Sequence, residues 1–352
     1  MTDDVIISVD RGVGRIRLNR PKAIHALTTQ MCEAMSQALL SWRDDPSVEL
    51  VLIDHAEGRG FCAGGDVVML ARSGSEDSEL AKHFFFAEYR LNHLLFTYPK
   101  TTIAIMDGIT MGGGVGISQP CDFRIATHAT RFAMPETGIG LFPDVGGGWY
   151  LSRLPGRVGQ FMALTGARLD GAECRYLNLA THYVEQTELD ELVERIMKAP
   201  GRAKGALGAA ATPVPEPKIE QSLPQITRLF ASDRLEDILT ALEEDDSDWA
   251  KTELATLGSK SPLSCKVSLR LLAAGTDRAS FADEMRAEYA LASRVVRTHD
   301  FREGVRALLI DKDNSPQWDP ATPEDVTEEM LDVLFEPLPP SEAWTPFPEA
   351  RA

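Results

Sequence analysis

Short apolar segments, glycine-rich turns and helical segments follow one another twice in the first half of the chain. The first apolar segment, Val48–Asp54, runs into the glycine-rich loop 57–66 and a helix that begins at Val67. The second, Thr101–Met106, is followed by the turn Met111–Gly116, which opens another helix. The recurrence of strand, turn and helix in one order predicts an α/β layered fold built from similar units.

The remaining segments of the first half extend this pattern. The apolar segments Val5–Val9 and Arg15–Leu18 flank two glycines and predict a β-hairpin. Thr28 is a candidate N-cap, since apolar residues recur after it at the spacing of an amphipathic helix. A second long helix is predicted over Glu79–Phe96 and another strand over Phe123–Ala126.

The composition changes along the chain and suggests four regions. Residues 1–198 contain the repeated units and form the predicted core. Residues 199–218 are rich in Ala, Gly and Pro, so we expect an irregular connector or mobile loop there. Residues 219–310 have a helical pattern. Residues 311–352 form a mostly irregular acidic tail with one short helix near Val326–Phe335.

Charge and cysteine content narrow the class of protein. The 352 residues carry a formal charge of −17, which argues against a broad nucleic-acid-binding face. An anionic ligand would need a local basic patch or backbone N–H donors. The five dispersed cysteines have no zinc-site spacing and suggest reduced thiols. With no visible leader peptide and no apolar run near the length of a membrane span, the expected location is the cytoplasm.

Two glycine turns each end where a predicted helix begins. The unpaired N–H groups at a helix start carry partial positive charge. If the Gly65 and Gly113 amides converge, they would form an oxyanion hole, which stabilises charge that develops on a carbonyl oxygen. Alternatively, these glycines only permit tight turns or close packing. Neither turn matches the G-x-G-x-x-G or Walker nucleotide signatures.

Two acidic residues lie among apolar neighbours just after the second turn. Glu136 and Asp144 each follow a proline, and three glycines, 146–148, follow Asp144. A carboxylate in an apolar setting is costly unless it is paired or functional, so the pair suggests an acid–base site. The alternatives are a hydrogen-bonded loop residue for Glu136 and a helix N-cap for Asp144. The seven histidines have no spacing typical of metal ligands, and we expect no metal site.

Three sequence blocks taken together resemble the enoyl-CoA hydratase/isomerase (crotonase) superfamily. These blocks are Phe61–Asp66, Met111–Gly116 and Met134–Glu136. The resemblance implies a crotonase-like spiral of ββα repeats with a helical C-terminal region, and binding of acyl-CoA thioesters. By position, Gly65 and Gly113 match the two backbone donors of that superfamily.

Longer motifs resemble one branch of the superfamily, whose members hydrolyse thioesters. They are Ile109–Ser118, Phe132–Thr137, Ile139–Gly148 and His299–Pro316, so the resemblance spans nearly the whole chain. It implies hydrolysis of a short branched 3-hydroxyacyl-CoA, 3-hydroxyisobutyryl-CoA of valine breakdown. Glu136 would act as the nucleophile or as a general base on water, and Asp144 would orient the substrate hydroxyl or that water.

One position separates this branch from typical hydratases. Hydratases of the superfamily carry a second catalytic glutamate on the helix after the glycine turn, where this chain has Gly116. Syn addition of water to a double bond needs two positioned acid–base groups, so the loss of one argues against hydration. A hydratase or isomerase of the same fold, or a CoA-binding protein without turnover, remain the alternatives.

The resemblance also implies residues that contact the substrate. Glu88 matches a substrate-contacting glutamate, although its own sequence context suggests a solvated helix residue. Gly64 and Asp66 flank the first oxyanion donor. The loop 20–27, with Lys22 and Ala26, would line the adenine end of CoA, and Lys22 could equally be a solvated loop lysine. Coenzyme A is then part of the substrate, no separate cofactor is expected, and the superfamily favours a homo-oligomer.

Overall fold

Nine strands form two sheets in the computed structural model, which describes residues 2–348. In chain order the strands are β1 (Val5–Asp10), β2 (Val13–Leu18), β3 (Leu50–His55), β4 (Gly60–Cys62), β5 (Thr101–Met106), β6 (Ile109–Met111), β7 (Phe123–Ala126), β8 (Arg131–Ala133) and β9 (His182–Tyr183). The larger sheet has the order β1-β2-β3-β5-β7-β9, and the smaller has the order β4-β6-β8. The predicted N-terminal hairpin is confirmed, since β1 and β2 pair antiparallel.

The helices cover both the spiral and the C-terminal region. They are α1 (Thr29–Arg43), α2 (Val67–Gly74), α3 (Glu79–Phe96), α4 (Gly113–Ser118), α5 (Gly147–Leu151), α6 (Val158–Thr165), α7 (Gly171–Tyr176), α8 (Leu189–Lys198), α9 (Ala203–Ala210), α10 (Ile219–Leu229), α11 (Leu235–Glu243), α12 (Asp248–Leu257), α13 (Pro262–Thr276), α14 (Phe281–Val295), α15 (His299–Val305) and α16 (Glu328–Phe335). The Thr28 side chain accepts a hydrogen bond from the Met31 amide at the start of α1, which confirms the predicted N-cap.

Successive pairs of strands build the spiral. β3 and β4, then β5 and β6, then β7 and β8 each place one strand in the large sheet and the next in the small sheet. Helices α2 and α3 follow the first pair and α4 follows the second. All neighbours after β2 are parallel, as expected when each return passes through a crossover. The predicted α/β spiral of ββα repeats is confirmed.

The central strands are apolar because the large sheet is covered on both faces. Ile16, Val51 and Ile53 belong to one buried cluster, which includes helices α1 and α3. Leu50, Leu52 and further residues of β5 and β7 belong to a second cluster with α8 and α9. A strand buried on both faces has a continuous apolar run in place of alternation, which explains the sequence of β3.

The stretch 199–218 differs from its prediction as an irregular connector. It contains helix α9, whose buried residues Ala203, Leu207 and Ala210 follow the three- and four-residue spacing of a helical face. Two of these three are alanines, so the apolar face is too weak in sequence to stand out among the glycines. Their packing on α8 supplies the stabilisation that a short isolated helix lacks.

The C-terminal helices and the tail fold back on the spiral. The predicted helical region contains α10–α15, and α14 packs along α3, with the rings of Phe86 and Tyr289 5.6 Å apart. In the tail, α16 corresponds to the predicted short helix. Trp344 is fully buried, and its indole N–H donates to the Phe86 carbonyl oxygen at 3.3 Å. Within residues 2–348, no helix combines the length and apolar character needed to cross a membrane.

Candidate active site

The small sheet delivers three backbone segments to one place. Strand β4 leads directly into Gly64 and Gly65, β6 leads into Gly112 and Gly113, and β8 leads into Glu136. The three strands are parallel, so their carboxyl ends lie at the same edge of the sheet. Segments that are far apart in sequence therefore meet there, as binding residues commonly do at the carboxyl ends of parallel strands.

Two free backbone amides lie at this edge. Among the described residues, the N–H groups of Gly65 and Gly113 donate to no protein acceptor. The two turns are in contact, because a β-carbon at Gly64 would be 3.9 Å from the Gly113 amide nitrogen. Gly64 also has φ +117°, a conformation that favours glycine. Two unpaired donors beside one cavity could bind an oxygen atom on which negative charge develops.

A cavity of about 270 Å³ connects these turns with the acidic residues. Gly64, Gly65, Glu88, Gly113, Glu136 and Asp144 all line it. Its apolar walls include Val67, Leu70, Phe84, Phe85, Ile139 and Leu141. Six of the nine residues proposed from the sequence therefore meet around one small space, and most of the surface around them is apolar.

Glu136 opens a short 3₁₀ turn directly after β8. Its side chain is 5% exposed, and its Oε1 atom lies next to Gly112, 3.2 Å from where a β-carbon of that residue would be. Its Oε2 atom has no hydrogen-bond partner in the described chain, so the alternative of a hydrogen-bonded loop residue is not supported. Burial raises the pKa of Glu136 well above its ordinary value, and the charge of Asp144 raises it further.

Asp144 reaches the same cavity from a turn that precedes α5. The Tyr89 hydroxyl on α3 donates to Asp144 Oδ2 at 2.7 Å. Burial raises the pKa of Asp144 to about 6, although the hydrogen bond from Tyr89 favours the charged form. The N-cap of α5 is Gly146, so Asp144 does not cap this helix through its side chain.

Glu88 lies on α3 and faces the cavity, not the solvent. It is 2% exposed, so the alternative of a solvated helix residue is wrong. Its Oε1 atom packs against Gly113, 2.5 Å from where a β-carbon of that residue would be, and has no hydrogen-bond partner in the described chain. Burial raises the pKa of Glu88 well above its ordinary value, and the charges of Asp144 and Glu136 raise it further. A neutral Glu88 carboxyl is therefore the form that this setting favours.

Position 116 leaves no space for a side chain. A β-carbon there would lie 2.6 Å from Val145 Cβ and 2.8 Å from Asn92 Nδ2. Asn92 is fully buried on α3, and Val145 follows Asp144 in its turn. The Asp144 turn therefore occupies the volume into which a residue larger than glycine at position 116 would extend.

Three of the residues proposed from the sequence lie outside the cavity lining. Asp66 caps α2 by accepting from the Met69 amide, and it forms an ion pair with Arg20 at 3.0 Å. The carbonyl oxygen of Ala26 accepts from the Arg20 guanidinium at 3.0 Å. Lys22 is exposed on the loop, which agrees with the alternative interpretation of a solvated loop lysine. The loop still borders the site, because the Leu27 amide donates to the Gly64 carbonyl at 2.7 Å.

A second cavity of about 610 Å³ adjoins the first and carries basic side chains that the sequence analysis missed. Ala63, Met111 and Arg168 line both cavities. Arg131 and Lys218 line the second cavity only. Exposed basic residues scattered over 88 positions give no local signal, and only the fold brings them together.

Leu308 and Leu309 close the first cavity from the C-terminal region. They belong to the π-helical segment Arg306–Ile310, which continues from α15. Such segments occur frequently at functional sites. Arg306 anchors the segment by ion pairs to Glu303 at 2.8 Å, to Asp311 at 2.6 Å and to Asp313 at 2.6 Å. The motif His299–Pro316 marks this region in the sequence but does not indicate that it contacts the site.

The arrangement fits addition to a carbonyl group. Two free amides could hold the carbonyl oxygen, while the Glu136 carboxyl lines the same cavity and could attack the carbonyl carbon or remove a proton from water. Within residues 2–348, no group of three or more His, Cys, Asp or Glu side chains is arranged to hold a metal ion.

Known proteins resemble the chain over almost its full length. Curated relatives include "3-hydroxyisobutyryl-CoA hydrolase, mitochondrial" from Gallus gallus, 41% identical over 95% of this chain and 89% of that protein. The human protein of the same name is 39% identical over 96% and 89%. These names are those of the relatives, to which this chain is similar.

Solved structures share the fold. A structure described as a carnitinyl-CoA dehydratase from Mycobacterium thermoresistibile has a TM-score of 0.94 and 39% identity, and covers 99% of this chain and 100% of that one. A structure described as an enoyl-CoA hydratase from Rhodobacter sphaeroides has a TM-score of 0.90 and 37% identity, with 97% and 100% covered. The family model described as "Enoyl-CoA hydratase/isomerase" matches residues 13–335. The chain therefore belongs to the enoyl-CoA hydratase/isomerase family.

Proposed function

We propose that this protein is a thioester hydrolase that converts 3-hydroxyisobutyryl-CoA to 3-hydroxyisobutyrate and CoA in valine catabolism. Curated relatives that match more than 90% of the chain at about 40% identity carry the name of this hydrolase. The observation that carries the proposal is the Glu136 carboxyl, which lines the same small cavity as two free amides and has an Oε2 atom without a hydrogen-bond partner in the described chain. The Gly65 and Gly113 amides hold the thioester oxygen and stabilise the oxyanion.

Glu136 performs the chemical step by one of two routes. In the first, a carboxylate oxygen of Glu136 attacks the thioester carbon, the C–S bond breaks, and CoA leaves as a thiolate that takes up a proton. Water then cleaves the mixed anhydride and restores the carboxylate. In the second, Glu136 removes a proton from water, which attacks the thioester directly. Both routes need the deprotonated carboxylate and give the same products.

Asp144 and Glu88 complete the site in different ionisation states. The Tyr89 hydrogen bond favours ionised Asp144, which orients the substrate hydroxyl or the attacking water. Neutral Glu88 next to Gly113 donates a hydrogen bond to the substrate and adds no negative charge beside the oxyanion. The supporting observation is that three carboxyl groups share one cavity, where simultaneous ionisation is unfavourable.

A hydratase of the same fold is the second candidate, because two of the similar structures are described as a hydratase and a dehydratase. Position 116 argues against it. The chain has no carboxyl there, and the contacts of Val145 and Asn92 exclude one. A CoA-binding protein without turnover is the remaining alternative, although the unpartnered carboxyl of Glu136 is an expensive feature for a protein that only binds.

The second cavity offers a path for the CoA nucleotide. Its cationic residues, Arg131, Arg168 and Lys218, are exposed on a chain that carries 17 excess negative charges. Two acidic residues, Asp170 and Glu173, also line it, but their carboxyls accept from backbone amides in the capping box of α7. Ile24 of the loop 20–27 also lines it, which supports a place for that loop beside the nucleotide. Phosphate groups of CoA would be attracted to such a local basic group. We propose these residues, in preference to Lys22, as the phosphate contacts.

The substrate supplies CoA, and the proposed reaction needs no separate cofactor. Self-association and a cytoplasmic location stay predictions. The curated relatives are labelled mitochondrial.

A panel of acyl-CoA thioesters tests the function directly. Each thioester is assayed in parallel for free thiol and for the absorbance of an enoyl double bond. We expect rapid thiol release from 3-hydroxyisobutyryl-CoA and background hydration of crotonyl-CoA. Rapid hydration without thiol release would favour the hydratase, and tight CoA binding without any turnover would favour the binding protein.

A further inference from the structure

The turn that carries Asp144 has an unfavourable backbone. Val145 has φ +54°, in the left-handed region that β-branched residues rarely adopt. Gly146 follows with φ +91°. A strained conformation of this kind persists only when the surrounding structure holds it, and such conformations occur mainly at functional sites.

One buried side chain from the C-terminal region holds this turn. Glu288, on α14, is 0% exposed. The Gly146 amide donates to its Oε2 atom at 2.8 Å, and the Gly148 amide donates to its Oε1 atom at 3.1 Å. Between them, the Gly147 amide donates to the Asp144 carbonyl oxygen at 2.8 Å. Both carboxyl oxygens of Glu288 are thus committed to the backbone directly after Asp144.

We propose that Glu288 is a positioning residue for Asp144, an inference that rests on the proposed hydrolase function. Tyr89 on α3 fixes the Asp144 carboxyl, while Glu288 on the adjacent α14 fixes the backbone on the other side of the same residue. If either support is lost, the side chain moves relative to the thioester. A displacement of about 1 Å can cost on the order of 100-fold in rate.

The ionised form of Glu288 suits this role, because amide donors bind a carboxylate. Burial raises the pKa of Glu288 well above its ordinary value, and the charges of Glu284 and Asp144 raise it further, whereas the Gly146 and Gly148 amides lower it. Glu284 lies one helical turn before Glu288 and is also fully buried. Its carboxyl lies beside that of Glu288 and packs against Gly148, and Arg278 Nε lies 3.3 Å from its Oε2. The Arg278 guanidinium therefore offsets the charge of Glu284, while the two amides offset that of Glu288.

A purely structural role is the competing explanation, in which Glu288 stabilises the start of the short helix α5 and has no link to the reaction. The variant Glu288→Gln tests the contact with little change in volume. Its single carbonyl oxygen can accept one amide, and its NH₂ group would face the other donor. Ser293→Ala is the control, because it removes a buried polar group of the same helix whose hydroxyl donates to the Tyr289 carbonyl oxygen at 2.7 Å and binds neither amide.

Hydrogen exchange of the segment 144–148 measures the contact without any need for turnover. We expect faster exchange in Glu288→Gln and wild-type exchange in Ser293→Ala. Unchanged exchange in Glu288→Gln would overturn the inference. If that variant does not fold, Glu288→Asp keeps the charge, shortens the side chain by one methylene and is compared in the same way.

A double-mutant cycle with Asp144→Asn separates positioning from a structural role. We expect Glu288→Gln alone to lower kcat on the order of 10- to 100-fold, mainly for 3-hydroxyacyl thioesters, with KM little changed. In the Asp144→Asn background the same substitution should cost almost nothing, because the group it positions is already gone. Losses that multiply would contradict the inference. If the wild-type protein releases no thiol from any thioester, the proposed function fails, while hydrogen exchange still tests the contact.

Discussion

Glu136 and Asp144 lie eight residues apart and line the same cavity, yet different parts of the molecule support them. Glu136 follows directly from strand β8, so the spiral itself delivers it to the site. Asp144 lies on a strained turn held by Tyr89 and Glu288, which are 55 and 144 positions away in the chain. The comparison teaches that the spiral provides the reacting carboxyl and the amides, whereas helices α3 and α14 fix the second acid.

The largest effect is expected at the group that the spiral delivers. Glu136→Gln keeps the shape of the side chain but removes the carboxylate. Loss of general-base catalysis costs about 10²–10⁴-fold in rate, and loss of a nucleophile costs more. Binding of acyl-CoA should persist, because the amides belong to the backbone. Thiol release and calorimetric binding measure the two properties, and near-normal turnover would remove Glu136 from the mechanism.

The same variant should be more stable than the wild type. The folded-state pKa of Glu136 lies above its unfolded value, so the folded protein binds this proton more tightly. The contribution of Glu136 to stability is therefore fully present below its unfolded pKa of about 4 and is lost as the pH rises through its folded pKa. Glu136→Gln removes this loss, and we expect its Tm at pH 8 to rise by about 1–3 °C. A lower Tm at pH 8 than that of the wild type would contradict burial of an unpaired carboxyl.

The spiral and the Asp144 turn meet at Gly116, where a substitution should damage both. Gly116→Glu forces a side chain into Val145 and Asn92, and overpacking of this kind costs about 1–3 kcal/mol of stability. The added carboxyl would also raise the pKa of its acidic neighbours. We expect a lower Tm, weak thiol release and no efficient hydration of crotonyl-CoA. Gly116→Ala is the smaller control, and robust hydration by a folded Gly116→Glu variant would refute this account of position 116.

Sequence alone predicts the site residues that the spiral carries better than the helix residues that hold the Asp144 turn. Gly65, Gly113 and Glu136 each lie in a local glycine- or proline-containing motif that the sequence singles out, although the short strands β4, β6 and β8 before them are not predicted. Tyr89 and Glu288 are ordinary helix residues in sequence, and their roles arise only when α3 and α14 pack beside the turn. Long-range packing of this kind leaves no periodic or local signal.

Three further sequence predictions differ from the structure for physical reasons. Helix α9 is hidden because its buried face consists mostly of alanine. Asp66 resembles a substrate residue by its place after the glycine turn, but it caps α2 and pairs with Arg20. The alternative of a solvated residue at Glu88 is wrong because this part of α3 is buried. Glu88 lines the cavity, and its neighbours Tyr89 and Leu91 are buried too. Of these contacts, the ion pair of Asp66 with Arg20 is distant in sequence, whereas α9 packs on the neighbouring α8 and Asp66 caps the helix that directly follows it.

Asp144→Asn should have a smaller and more selective effect than Glu136→Gln. If Asp144 holds the substrate hydroxyl, the substitution weakens a charge-assisted hydrogen bond worth about 1.5–3 kcal/mol, or about 10- to 100-fold in kcat/KM. Thioesters without the 3-hydroxyl should lose much less. Kinetics with a matched pair of hydroxylated and plain acyl-CoAs measure this selectivity. Equal losses on both substrates would assign Asp144 to water activation.

The pH profile should separate the two acids. Burial raises the pKa of Asp144 to about 6 and that of Glu136 well above its ordinary value, so ionised carboxyls become available only at higher pH. We expect kcat/KM to rise with pH through an apparent pKa of about 6 or above, which belongs to the coupled group. In Asp144→Asn, the pH at which kcat/KM rises should shift. In the wild type, a rise of kcat/KM near pH 4 would contradict the burial of both groups.

The smallest effect is expected at the surface, where neither the spiral nor the helical supports are involved. Arg168 is exposed and lines both cavities, so it can contact the CoA phosphates without touching the thioester. Exposed charge contacts contribute about 0.2–1 kcal/mol, so Arg168→Ala should raise KM for acyl-CoA by about 1.5- to 5-fold and leave kcat unchanged. The increase in KM should be largest at low salt.

Lys22→Ala is the matched control, since Lys22 is exposed and lies outside both cavities. A truncated thioester without the nucleotide should react equally with all three proteins. A larger effect in Lys22→Ala than in Arg168→Ala would return the phosphate contact to the loop that the sequence first suggested.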